Sequence, residues 1–298
     1  MSVEQLELLR KKAKKSCLTG IFITIGVTIV AFLLTNLAPV AVVCLVMGIV
    51  ITFISSSAPS KEFISAFKET FVLKSLNSVF TDLNYTPEEG IPESVIRDTQ
   101  MMDMGDRYYS NDYISAKYKD INVVQSDVHI EEERETTDSD GNTTTTWVTI
   151  FRGRWMIFDF NKTFKANIQV CQKGFGNAQI SNWGTALKYK KVLMEDQDFN
   201  NNFRIYAQSE HEAFYILTPA LMEKIKRLTS SIYGSVLLCF IDNKLHVGIQ
   251  NNRDSFEHSI FTKIDENKVT EEISKDIKLI TSFVDELDLD NDLFRKEV

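Results

Sequence analysis

The chain has 298 residues, 33 of them Lys or Arg and 41 Asp or Glu, for a net charge of −8. Without the first sixteen residues, five basic and two acidic, 28 basic and 39 acidic side chains remain, a net charge of −11. So acidic a body argues against tracking a nucleic-acid backbone, which takes clustered Lys and Arg. The four cysteines lack Cys-x-x-Cys spacing and point to neither a disulfide framework nor a zinc site.

Residues 1–16 hold a basic run, Arg10, Lys11, Lys12, Lys14 and Lys15. Two uncharged apolar blocks follow, 17–34 and 37–54, separated by Thr35 and Asn36. As a helix each block spans ~27 Å, close to the ~30 Å hydrocarbon thickness of a bilayer. One merged helix would reach ~57 Å at the same rise, and Asn36 and Pro39 stand where it would have to continue, so the pattern predicts a membrane hairpin. A signal peptide is the rival for the first block, but the second follows at once without a small-residue cleavage site. Lys61, Lys68 and Lys74 follow the hairpin while its linker carries no charge, which predicts a multi-pass cell-membrane protein with both termini cytoplasmic. The basic run is then a topology determinant beside anionic headgroups. Neither block holds an ionisable residue beyond Cys, which argues against a channel. Ala41, Cys44 and Gly48 form a small-residue stripe that would let the helices approach closely.

Residues 60–298 are expected to form a cytoplasmic domain. Ser60 is a candidate N-cap for a helix carrying Phe63, Phe67, Phe71, Leu76, Val79 and Phe80 at helical spacing. That aromatic stripe fits an interfacial helix or a core-packed one, and the lysines among it favour the core. Tyr85 to Gly90 should break the helix, and Pro92 to Met102 reads as a shorter one.

From Ile121 the period becomes two, with Val124, Val128 and Ile130 alternating, and Thr146 to Phe160 reads as the return strand of a long antiparallel hairpin. Its tip, 131–145, carries Glu131, Glu132, Glu133, Glu135, Asp138 and Asp140 with no large apolar side chain, and should project into water. Asp138-x-Asp140-Gly141 lacks the further ligands and closing glutamate of a calcium loop, so a solvated turn is expected and no metal site is assigned. His129, His211, His246 and His258 form no metal or catalytic spacing, and Gly174-Phe175-Gly176 is a turn rather than a phosphate loop, so no cofactor is expected.

Short strands are predicted at 187–194, 203–208, 213–217, 236–241 and 245–249, the last two joined across Asp242-Asn243-Lys244. Thr218-Pro219 should open a helix running to about Leu228. Ile273, Ile277, Ile280, Val284 and Leu287 give a closing amphipathic helix, too short for a coiled coil and better suited to the domain's core.

Phe151-Arg152-Gly153 with Ile157 to Phe164, Glu195 to Tyr206, Glu212 to Leu228, the hairpin from Leu237 and the closing Val284-Asp285-Glu286-Leu287 together resemble the uncharacterised bacterial family called domain of unknown function 3137. The resemblance implies a membrane-anchored bacterial protein with no established activity and no catalytic residues to carry over. The acidic tip is the part that matches it least. Strands in hairpins with helices before, between and after them predict an α+β class with a mainly antiparallel sheet. The expected function is a membrane-tethered binding or scaffolding module whose partners are the lipid bilayer and a protein, without nucleic acid. The alternative is an enzyme whose site gathers distant residues, with Asp159, Lys162, Glu195 and His211 as its candidates.

Overall fold

The computed structural model describes residues 1–139, 141–160, 164–175 and 189–289. The chain divides into a helical unit, residues 1–75 with 256–274, and a sheet unit, residues 76–255 with 275–298.

The helical unit is built on α1 (Val3–Thr35) and α2 (Ala38–Phe67), both long and apolar enough to cross a membrane. Ser2 and Gln5 form a capping box at the start of α1, and Asn36, left-handed at φ 50°, turns the chain into α2. The helices meet through Gly20 against Thr52 and Gly48 against Thr24, with the two threonine hydroxyls 3.1 Å apart. Thr28 and Thr52 also return their hydroxyls to carbonyls four residues back, satisfying both donors within their own helices.

Both helices extend beyond the apolar blocks, and the expected N-cap at Ser60 is not one, because α2 runs through Pro59 to Phe67. Pro59 has no N–H for the Ser55 carbonyl, and Ser16 Oγ on α1 donates to that carbonyl at 3.3 Å instead. Helical backbone continues past Phe67 as a π-helical turn, Lys68–Leu73. The Phe63, Phe67 and Phe71 stripe is buried, as the core reading expects. His258 stacks on Phe67 at 5.2 Å, and the buried Lys68 ammonium pairs with Glu257 at 2.8 Å.

Among the described residues of the sheet unit nine strands pair antiparallel in the order β1-β2-β3-β4-β9-β8-β5-β7-β6. They are β1 (Thr81–Thr86), β2 (Arg107–Tyr118), β3 (Ile121–Thr137), β4 (Thr143–Asp159), β5 (Ile168–Gln172), β6 (Lys190–Val192), β7 (Phe203–Ala207), β8 (Ser235–Ile241) and β9 (Lys244–Gln250). The α+β expectation therefore holds, with corrections. Thr81–Thr86 is a strand that ends the preceding helix before Tyr85. The Pro92 helix is one short turn, Glu93–Arg97. Ala213 to Leu217 is not a strand but the end of the helix Glu210–Ile216, which Ser209 caps by accepting from Glu212 N at 3.3 Å. The strand read at 187–194 is Lys190–Val192, its first two residues lying outside the described ones.

β4 is an interior strand of the sheet, and its inner half is largely buried on both faces. Phe151, Trp155 and Ile157 join Val128, Ile130, Leu237, Cys239 and Met101 in one core. On the opposite face Phe158 stacks on Phe283 of the closing helix Glu266–Leu287, ring centroids 5.8 Å apart. Burying both faces is what gives β4 its near-continuous apolar run.

Candidate functional site

The outer halves of β3 and β4 leave the sheet as a two-stranded ribbon. β2 stops at Arg107 opposite Glu131, and β9 stops at Gln250 opposite Gly153. Beyond those points, among the described residues, β3 and β4 pair only with each other, from Glu132 opposite Val148 out to Thr137 opposite Thr143. Six residue pairs at strand rise make an arm ~20 Å long. Its side chains from Glu133 to Trp147 are almost all exposed, so it adds nothing to the buried core.

The arm is nevertheless fully built. At its tip both Asp138 carboxylate oxygens accept from Asn142, at 2.9 Å from its N–H and 3.2 Å from its amide, and Gly141 takes a left-handed φ of 84°. Asp140 lies outside the described residues. Thr137 and Thr143 exchange a hydroxyl bond of 3.1 Å across the strands. On β3, Glu131 and Glu135 stand opposite Thr149 and Thr145 of β4, Glu132 and Glu133 stand opposite Val148 and Trp147, and Arg134 pairs with its neighbour Glu132.

At the root, the loop before β2 braces β3. Asp106 N–H donates to the Glu131 carbonyl at 2.8 Å, and its carboxylate accepts from Glu133 N–H at 2.8 Å. Gly105 is left-handed, and a Cβ there would strike the Glu131 carbonyl. The Arg107 guanidinium lies 3.3 Å from the Trp147 ring centre, and Tyr109 packs against His129 at 6.0 Å. Trp147 and Tyr109 remain 36% and 51% exposed, so Arg, Trp and Tyr stand together on an open surface.

Below the root the same sheet face becomes a buried polar network. Asp127 accepts from Ser255 Oγ at 2.8 Å and from Ser255 N–H. Arg154 donates to Ser255 Oγ at 2.8 Å, to the Asp276 carbonyl at 2.7 Å and to its carboxylate at 2.9 Å. Burial pushes the Asp127 carboxyl up to about 7, Arg154 and Ser255 pull it down, and the Asp112 charge pushes it further up. With Asp127 and Arg154 both buried, this network ties β3 and β4 to residues 255 and 276 rather than facing a ligand.

The three described enzyme candidates lie on or beside different elements. Asp159, at the end of β4, accepts from Asn122 at 2.6 Å. Glu195 and His211 are exposed, and among the described residues no hydrogen bond or ion pair joins either of them to Asp159. Lys162 lies outside the described residues. Cys171 and Cys239 are buried, and desolvation raises both thiols, Cys171 to about 12, so neither supplies a thiolate. Among the described residues no group of three His, Cys, Asp or Glu side chains could hold a metal ion. What the sequence reading lacks is the root, because it assigns no element between Met102 and Ile121, where β2 supplies Arg107 and Tyr109.

Residues 149–289, from β4 to the closing helix, match the family model described as protein of unknown function, DUF3137. The resemblance read from Phe151-Arg152-Gly153 onward is thus confirmed over those residues, and the tip and β3 precede the matched stretch. No curated protein matches the chain. Among solved structures, the crystal structure of the mycobacterial trehalose monomycolate transport factor A, TtfA, aligns with 70% of this chain and 88% of that one. The identity is 9% and the TM-score 0.32, too slight a likeness to carry an argument.

Proposed function

We propose that the chain is a membrane-anchored binding module, held in the bilayer by α1 and α2, that engages a protein partner through the β3–β4 arm and its aromatic root. One observation carries this reading: the arm is ordered by a capped turn, a threonine contact and a braced root while burying no core. Ordering residues costs conformational entropy, and here no burial within the domain offsets it. Arg, Trp and Tyr are the residue types that anchor protein interfaces. The glutamates of β3 would steer a basic partner and keep the open strand edges from pairing indiscriminately.

The basic run of residues 10–15 and the uncharged hairpin turn favour both termini in the cytoplasm, which would put the arm there too. Reporter fusions at residue 8 and after residue 298 test that orientation, and an external signal from either overturns it. The binding reading is tested by placing a photo-crosslinking amino acid at Glu135 or Thr144 in cells, with Lys263 as an exposed control. A discrete adduct from the arm positions, absent at Lys263, supports it; no adduct, or the same adducts everywhere, rejects it.

A further inference from the structure

The arm has two long edges, and they are built differently. The Glu131 carbonyl accepts from Asp106 N–H at 2.8 Å and Glu133 N–H donates to the Asp106 carboxylate at 2.8 Å, so the backbone groups of these two residues point away from β4. In an antiparallel pair that outward direction returns at every second residue, and the residue directly opposite points outward on its own side. Trp147 opposite Glu133, Thr145 opposite Glu135 and Thr143 opposite Thr137 therefore turn their N–H and C=O away from β3. The tip agrees, since Asp138 N–H donates to the Asn142 carbonyl at 3.0 Å, one step beyond the pair of Thr137 and Thr143. β9 stops at Gln250, opposite Gly153, so among the described residues nothing pairs with this side of Thr143, Thr145 and Trp147.

The β3 edge is guarded and the β4 edge is not. Residues 131–135 are all charged, and Asp106 occupies two of that edge's backbone groups. Residues 143–149 of β4 are uncharged, without Pro or Gly, and each is β-branched or aromatic. Such a run favours a strand with a neighbour on each side, and an edge left open in this way is a template for another chain. The rest of the ribbon selects that chain by charge. Residues directly opposite one another share a face, so Glu133 and Glu135 stand on the same face as Trp147 and Thr145. Arg107 shows what a cation reaches there: from β2, across β3, its guanidinium lies 3.3 Å from the Trp147 ring centre on β4. A strand laid beside β4 stands at that same two-strand distance from the glutamates of β3. From this geometry we propose that the open β4 edge takes an extended basic segment of a protein partner as an added strand. Its backbone pairs with Thr143, Thr145 and Trp147, and its alternate Lys or Arg side chains cross β4 to Glu133 and Glu135. A second copy of the chain fits worse, because residues 131–149 hold six acidic side chains and one basic one, and two such arms repel. Strand addition at this edge rests on the reading of the arm as a partner-binding element.

The test is fluorescence anisotropy on the full chain in a neutral detergent, with a labelled synthetic peptide that alternates Lys with Val. Saturable binding is expected, weakened at least about tenfold when Glu replaces Lys in the peptide. N-methylating one alternate set of the peptide's amides should weaken it by at least about tenfold, and methylating the other set should leave it within about twofold, because only one set faces the arm. On the protein, Thr145→Pro removes an N–H offered to the added strand and none that pairs with β3, so it should cost at least about tenfold, whereas Thr145→Val keeps the N–H and should stay within about twofold. Circular dichroism checks that Thr145→Pro is folded, and the methylated peptides ask the same question of the unaltered chain. No saturable binding, equal binding of the Glu peptide, or equal binding of the two methylated peptides overturns the inference. A dimer in sedimentation that Thr145→Pro dissociates gives the edge to a second copy and overturns the basic occupant. In cells, a photo-crosslinker at Glu135 separates strand addition from the reading beneath it. Adducts that Thr145→Pro abolishes support strand addition, adducts that it leaves undiminished overturn strand addition alone, and no adduct in the parent overturns both.

Discussion

Gly248 on β9 stands directly opposite Trp155 on β4, and a Cβ built on that glycine would lie 2.7 Å from Trp155 Cζ3. The indole is fully buried, sits edge-on to Phe151 with ring centroids 5.8 Å apart, and donates to His246 Nδ1 at 3.4 Å. Trp155→Ala should therefore cost ~3–5 kcal/mol, and Gly248→Val ~1–3 kcal/mol by overpacking against the same ring. Chemical denaturation of the detergent-solubilised chain, followed by circular dichroism, measures both. A Trp155→Ala variant as stable as the parent would show that the indole does not organise this core.

In the hairpin, a Cβ on Gly48 would lie 2.5 Å from Thr24 Cγ2, and one on Gly20 would meet Thr52 Cγ2 at the same distance. Such contacts let helices pack closely without a hydrophobic force between them. Gly48→Leu should push α1 and α2 apart and lower the yield of a disulfide engineered between residues 16 and 55, neighbours across the pair. Undiminished crosslinking would mean that the glycine is not what sets the spacing.

Two buried groups titrate in opposite senses. Burial lowers the His246 imidazole from an ordinary 6.5 to about 4, so the unfolded chain binds more protons between those values and this residue's contribution falls as pH falls. The shift is worth ~3 kcal/mol once the pH drops below about 4. Asp127, raised by burial from 3.8 to about 7, does the reverse: the folded chain binds more protons in that window, so stability is gained as pH falls. From pH 7 to pH 5 the two should partly offset in the parent. His246→Leu should make the melting temperature rise as the pH is lowered across that range, and Asp127→Asn should make it drop. Parallel profiles for the two variants would show that these groups do not govern the pH dependence.

The hairpin and the centre of the sheet are legible in the sequence because burial there is uniform: an uncharged run reads as a membrane helix, and period-two strands read as half-buried. β2 is not, because its alternation is interrupted at Asp112, left-handed at φ 56°, where a bulge between Asn111 and Ile114 shifts the register. Arg107 and Tyr109 are lost with it, so half of the arm's root has no clear sequence signature. The helix 210–216 is mistaken for a strand because Phe214, Tyr215 and Ile216 favour strands, although Ser209 and Glu212 already carry the spacing of a capping box. Ser60 misleads in the other direction. A serine beside a proline resembles a helix start, but the carbonyl that Pro59 leaves free is satisfied by Ser16, a residue on the other helix.

The arm separates binding from folding most directly. Replacing Glu132 to Asn142 with an Asn-Gly turn removes the whole outer part of β3 and the tip, where burial is slight, and with them the Glu133 contact of Asp106, and spares the bond from Asp106 N–H to the Glu131 carbonyl. With so little apolar area lost, the melting temperature should move by no more than about 2 °C. Trp147→Ala strips the Arg107 guanidinium of its ring at a half-exposed site and should cost no more than about 1 kcal/mol. Both variants should lose the adducts formed by a photo-crosslinker placed at Tyr109, which lies outside the deleted segment and shares the root. A large fall in melting temperature would make the arm structural. Full retention of the Tyr109 adducts by both variants would leave the arm and its tryptophan outside the binding surface.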